Sequence, residues 1–169
     1  RIQTSGTTSV GAGLLCDATM PNNLVITNTT ISHNVIDDSN LTPGSGGTAA
    51  TIYAPCHFTM RHNTIVYNEY KNTVPHTGYA FLTNANGVYY NNIIGGTING
   101  FNCSITGAVT QNSNLTDQTC SSFDVTADLR VSPLVPVFGT SYPWPMNPLF
   151  RLSPAINGAV LNCLGDDAR

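Results

Sequence analysis

Charge is scarce in this chain. Only 9% of its 169 residues are Asp, Glu, Lys or Arg, against about a quarter in ordinary soluble domains. Lys71 is the single lysine, and Arg1, Arg61, Arg130, Arg151 and Arg169 are scattered. No basic surface able to track a phosphate backbone can be assembled from them, which excludes nucleic acid as a partner. Carboxylates able to hold a cation or to act as an acid and base pair are equally few. Asp37 and Asp38 are adjacent, so on a strand they face opposite sides and in a turn they act as solvated caps. Asp166 and Asp167 read as structural, with Asp167 paired to Arg169. No catalytic residue, metal site or cofactor is therefore assigned. The chain also lacks any run near the roughly 20 apolar residues of a membrane-spanning helix. Its first residues lack the basic-then-apolar order of a signal peptide, and its abrupt ends read as those of a piece of a longer protein.

Cysteine is present but never closely spaced. Cys16, Cys56, Cys103, Cys120 and Cys163 form no C-x-x-C pair, which argues against a zinc knuckle or a thioredoxin-type motif and in favour of disulfides in an oxidising, extracellular setting. The odd count leaves one thiol without a partner inside the chain.

With 41% apolar residues and a net charge of -3, the chain has the composition of a folded protein rather than a disordered one. Its polarity comes from amides and hydroxyls, and these recur. Ile26-Thr-Asn-Thr-Thr-Ile31-Ser-His-Asn34 returns as Met60-Arg-His-Asn-Thr-Ile65-Val-Tyr-Asn68 and, more loosely, as Val88-Tyr-Tyr-Asn-Asn-Ile93-Ile94-Gly-Gly96. Each is preceded by a glycine-rich, then apolar segment: Gly11-Ala-Gly-Leu-Leu15, Gly46-Gly-Thr-Ala-Ala-Thr-Ile-Tyr53 and Gly78-Tyr-Ala-Phe-Leu82. Both units alternate apolar with polar residues, are rich in Ile, Val, Thr and Tyr, and are bounded by Gly, Asn, Pro and Ser, which is the pattern of short strands. No helix of ordinary length can be drawn. A unit of about 30 residues holding two or three strands is one coil of a β-solenoid. The expected architecture is an all-β parallel β-helix of about four short coils over residues 1–128. A Pro-rich segment, 129–169, follows and covers it, because its crowded prolines cannot sit in central strands.

Asparagine at the same turn of successive coils can adopt left-handed backbone geometry and hydrogen-bond to its neighbours as a ladder. Asn34 and Asn68 are expected to form one such row, and Asn63 and Asn91 a second. Tyr53, Tyr67, Tyr79 and Tyr89 come from successive coils and are candidate glycan contacts, a pattern that strand packing also produces. His33 and His62 fall inside the repeated units, where coil stacking could bring them together, and His57 and His76 lie in loops. The N-x-[S/T] sequons at Asn28, Asn40, Asn102 and Asn114 carry no weight in a chain so rich in these residues.

The repeats, with the C-terminal matches Val131-Ser-Pro-Leu134, Leu149-Phe-Arg-Leu-Ser-Pro-Ala-Ile-Asn157-Gly158 and Cys163-Leu-Gly-Asp-Asp167-Ala-Arg169, resemble bacterial right-handed β-helix surface proteins of the choice-of-anchor type. Asn157 and Ser132 stand where that family has aspartates. The resemblance implies a right-handed coil. Its N-C-S and T-C segments, matched by Asn102-Cys103-Ser104 and Thr119-Cys120, imply a Cys103 to Cys120 disulfide. A further cysteine follows the D-x-R run in that family, so Cys163 is expected to pair beyond Arg169, leaving Cys16 and Cys56 for each other. The implied function is a non-catalytic structural or adhesive module at a bacterial surface or in an extracellular fibre, with further copies of itself or surface glycans as partners. The alternative is a carbohydrate-active enzyme or glycan-binding β-helix.

Overall fold

The computed structural model describes residues 2–3, 11–16, 23–37, 48–71, 77–120, 125–131, 135–136, 145–146 and 153–154. Asp38, His76, Cys163, Asp166, Asp167, Arg169 and most of the Pro-rich segment lie outside these. The fold is all-β, with no helix among the described residues.

In chain order the strands are β1 (Ile2–Gln3), β2 (Gly11–Leu15), β3 (Leu24–Thr27), β4 (Thr30–Ser32) and β5 (Val35–Asp37). A second pass lays down β6 (Thr48–Tyr53), β7 (Phe58–Arg61), β8 (Thr64–Val66) and β9 (Glu69–Lys71). A third gives β10 (Thr77–Thr83), β11 (Gly87–Tyr90) and β12 (Ile93–Gly95), and a fourth gives β13 (Phe101–Ile105), β14 (Val109–Asn112) and β15 (Leu115–Thr116). Then come β16 (Val125–Thr126) and the antiparallel pair β17 (Val135–Pro136) and β18 (Pro145–Met146). Four parallel sheets result, ordered β2-β6-β10-β13, β3-β7-β11-β14, β4-β8-β12-β15-β16 and β1-β5-β9. Each later pass of the chain thus adds a strand beside the one laid down a pass earlier.

In-register pairing aligns like with like along each column. Ile26, Met60 and Tyr89 form one inward column, and Ile31, Ile65 and Ile94 another. With Ile52, Phe58 and Phe81 they build the main core. Complete burial of a side chain the size of Phe58 or Ile65 stabilises the fold by about 1.5–3 kcal/mol. A satellite core lies against β9, where Ile36 and Tyr70 are fully buried. The Tyr70 ring fits because Gly78 and Gly100 carry no side chain: a Cβ on either would sit 2.3 Å and 2.7 Å from ring atoms. Its hydroxyl donates to the Tyr79 carbonyl and accepts the Thr51 N–H at 3.1 Å.

Between β3 and β4, and again between β4 and β5, the chain turns sharply. The first corner places Asn28, His62, Asn91 and Ser113 at positive φ in successive passes, and the second places His33, Tyr67 and Gly96 there. After each left-handed residue comes a position that is usually asparagine. Asn63, Asn92 and Asn114 form the first row. The Oδ1 of Asn92 accepts the backbone N–H and side-chain amide of Asn63, while its Nδ2 donates to the Met60 carbonyl a pass earlier. Asn114 repeats this on Asn92 and Tyr89, and Asn63 on Thr29 and Ile26. In the second row Asn68 accepts from the backbone and side-chain amides of Asn34 and donates to Ile31.

The second row is that expected from sequence. The first corrects the expectation by one residue: Asn92, not Asn91, aligns with Asn63, and Asn91 takes the left-handed position instead. The slip arises from the Ile93-Ile94 doublet. Ile94 pairs with Ile65 and is fully buried, whereas Ile93 pairs with Thr64 on the outer face, and a shift of one residue along a strand reverses every side chain.

Asn92→Ala removes the side-chain partner of two backbone groups of the second pass, the Asn63 N–H and the Met60 carbonyl, and is expected to cost about 2–4 kcal/mol in urea unfolding, while Asn91→Gly, at a backbone position glycine favours, is expected to stay within about 1 kcal/mol of the parent. The reverse order would refute this register. Burial pushes the Tyr70 phenol up from 10.0 to about 12. Because the folded value is the raised one, its contribution is fully present below pH 10 and is lost as pH rises through about 12. The loss is on the order of 3 kcal/mol, since each unit corresponds to about 1.4 kcal/mol. A stability–pH series should show this alkaline drop, and Tyr70→Phe should flatten it.

Candidate functional site

The second corner is where the described chain forms a cleft. Its column runs His33, Tyr67, Gly96. The His33 and Tyr67 rings lie 5.4 Å apart at 44°, and a Cβ on Gly96 would sit 2.8 Å from the Tyr67 ring. Glycine is thus required above the tyrosine. In the third pass the asparagine of this row is replaced by Thr97, and the corner peptide is capped from further along the chain: Asp117 accepts the Gly96 N–H at 2.8 Å. Asp117 also accepts from Nδ2 of buried Asn102, which donates to the Ile94 carbonyl as well.

Residues 127–131 return across the outer face of the β4-β8-β12-β15-β16 sheet. Leu129 and Val131 pack with Val66 and Leu115 in a small second core. This close approach depends on Gly95, where a Cβ would meet Leu129 Cδ1 at 2.2 Å and Asp117 Oδ1 at 2.7 Å. The segment is held by the Tyr67 hydroxyl, which donates to the Val131 carbonyl, and by the Ser153 hydroxyl, which donates to the Leu129 carbonyl at 2.7 Å. Arg130, at φ 48, turns back on Asp128: its N–H donates to Oδ1 at 3.1 Å and its Nε lies 3.5 Å from Oδ2. Tyr67, Gly96, Asp117, Asp128 and Arg130 thereby surround a cleft of about 340 Å³, within the low end of the range of ligand sites. The Tyr67 phenol is pushed above 10.0 by burial and then by the negative charges of Asp117 and Asp128.

The residues singled out from sequence are dispersed. Of the four tyrosines, Tyr67 lines this cleft. Tyr53 and Tyr79 are half-buried on the outer face of the β2-β6-β10-β13 sheet, Tyr79 stacked on exposed Phe101 at 5.9 Å. Tyr89 is no glycan contact: it is fully buried and stacked on Phe81 in the core, because its column is the inward one. His33 and His62 belong to different corners, as the registers of β4 with β8 and of β3 with β7 require. Cys16 is bonded to Cys56 and Cys103 to Cys120, with Cα atoms 5.8 Å and 5.3 Å apart. Of the sequons, Asn102 and Asn114 are buried and spend their amides inside the fold, whereas Asn28 is exposed and Asn40 lies outside the described residues.

Sequence reasoning missed Asp117, Asp128 and Arg130. The available signals were the adjacent Gly95-Gly96 at a strand end, which marks close approach by other chain, and the Asp128-Leu-Arg130 spacing. No protein-family model, no curated protein and no solved structure matches the chain.

Gly95→Ala is expected to lift Leu129 off the sheet at a cost of about 1–3 kcal/mol and to accelerate proteolysis within residues 125–131 while the two disulfides persist. An unchanged cleavage rate in limited proteolysis would show that this packing does not hold the segment.

Proposed function

We propose that the chain is a right-handed parallel β-helix serving as a non-catalytic structural or adhesive module of a bacterial cell surface or extracellular fibre, of the choice-of-anchor type. The single observation that supports this best is the in-register column: successive passes pair in parallel and repeat the same asparagine corner, an arrangement suited to extension by another pass. Parallel edges offer their backbone groups to an added strand. The first pass presents such an end. Leu14 shares the inward column of Ile52 and Phe81, which are fully buried, yet is 40% exposed. Two disulfides are compatible with an extracellular location, and no helix among the described residues is long and apolar enough to cross a membrane.

The carboxylates of Asp117 and Asp128 at one cleft favour a second reading, a carbohydrate-active β-helix. Sedimentation velocity over a wide concentration range tests the first: end-to-end growth is expected, with Leu14→Lys weakening it at least tenfold because a charge would have to be buried. Monodisperse monomer at every concentration, together with release of unsaturated or reducing ends from added polysaccharides, would decide for the enzyme.

A further inference from the structure

We propose that the cleft of Tyr67, Gly96, Asp117, Asp128 and Arg130 binds one neutral sugar unit of an extracellular glycan. The inference builds on the adhesive form of the function above and names its contact site.

The cleft combines three features that hydroxyl-rich, uncharged rings match. First, it is a half-open cleft of about 340 Å³ beside an outer sheet face, near the smallest volume of ordinary ligand sites. Second, its polar groups are acceptors and donors of opposite kinds. Asp117 and Asp128 accept from sugar hydroxyls, and Arg130 donates to them from a side chain that is 44% exposed. A carboxylate with spare lone pairs and a planar guanidinium provide the strongest neutral-ligand hydrogen bonds available to a protein. Third, Tyr67 adds an aromatic wall whose neighbour, Gly96, contributes no side chain.

Charge selects against the acidic alternative. Arg130 is already paired with Asp128, so Asp117 leaves the cleft net negative. A uronate or sulfated sugar would meet like charge, whereas a neutral hexose or N-acetylhexosamine would not. The outer-face pair Tyr79 and Phe101 is the rival surface, but its two rings stack on each other at 5.9 Å rather than standing open to a sugar ring.

The test uses the whole chain and titration calorimetry with neutral gluco-, galacto- and N-acetylglucosamine oligosaccharides, alongside polygalacturonate and a sulfated glycan. At least one neutral series is expected to bind, with no binding of the acidic polymers. Asp128→Asn and Arg130→Gly should each weaken binding about tenfold, the loss of one charged hydrogen bond. Glycine keeps the backbone geometry at φ 48, and circular dichroism confirms that both variants fold. A Tyr79→Ser, Phe101→Ser double variant should bind as the parent does. Cleavage of the bound neutral glycan, lost in Asp128→Asn, would support the site while refuting the non-catalytic reading. Glycan binding lost only in the outer-face variant would overturn the site and leave the adhesive reading standing. Binding confined to acidic polymers, or no binding to any glycan tested, overturns the site as well.

Discussion

A backbone that turns sharply between short parallel strands strands its corner peptide groups, and buried unpaired amides cost roughly 1–3 kcal/mol each. The asparagine that reaches back one pass meets this constraint, and much of the molecule depends on it. One side chain does two tasks: its oxygen takes the corner N–H of the earlier pass and its nitrogen gives to a strand carbonyl of that pass. The bond geometry works only if passes are in register, so the amide that satisfies the corner also sets the alignment of the core columns. The left-handed residue before it is the accompanying requirement, met here by Asn28, His62, Asn91 and Ser113 rather than by glycine. Non-glycine residues at positive φ carry strain, which the surrounding hydrogen bonds outweigh.

Fixing register at corners frees the rest of the pass to vary. Linked residues in the first row are separated by 34, 29 and 22 positions, so successive passes lose length without losing alignment. The second row stops sooner. At Thr97 there is no asparagine, and beside it the side chain of Asp117 accepts the Gly96 N–H, whereas the corresponding N–H groups of His33 and Tyr67 go to backbone carbonyls. A carboxylate in place of a backbone carbonyl brings charge to this corner, and residues 127–131 close over it. The cleft thus lies where the second row ends, and the paucity of charge elsewhere makes Asp117, Asp128 and Arg130 conspicuous.

How much of this was legible follows the same logic. Repetition of the same two units in the same order revealed strands, parallel stacking and the Asn34–Asn68 pair, because one residue type performs one task at one place in each pass. The first row was displaced by a residue because hydrophobicity cannot tell which of Ile93 and Ile94 faces inward; only pairing with Ile65 does. Tyr89 was misplaced for a related reason, since Tyr89 and Tyr90 are chemically alike and only their faces differ. The cleft left only the Gly95-Gly96 doublet and the Asp128-Leu-Arg130 spacing as signals. Asp117 and Asp128 lie outside the repeated units, and their meeting with Tyr67 arises from the chain folding back across passes, which no local pattern encodes.

The third corner of each pass shows what happens when the amide solution is absent. Between β2 and β3 the chain is tied to the next pass by Cys16 and Cys56, closing a separation of 40 residues; in the third pass Thr83 takes over, its hydroxyl donating to the Ala54 carbonyl at 2.6 Å and accepting the Ala85 N–H. A loop of that size contributes about 4 kcal/mol through the unfolded chain, more than one neutral hydrogen bond gives. The covalent tie stands in the first described pass that carries this corner, where neighbours lie on only one side among the described strands. Cys103, bonded to Cys120, lies on β13, the other edge of the β2-β6-β10-β13 sheet among the described strands. Among the described residues amides thus link every pair of successive passes at the first corner, and the disulfides add covalent ties at the first and last strands of that sheet.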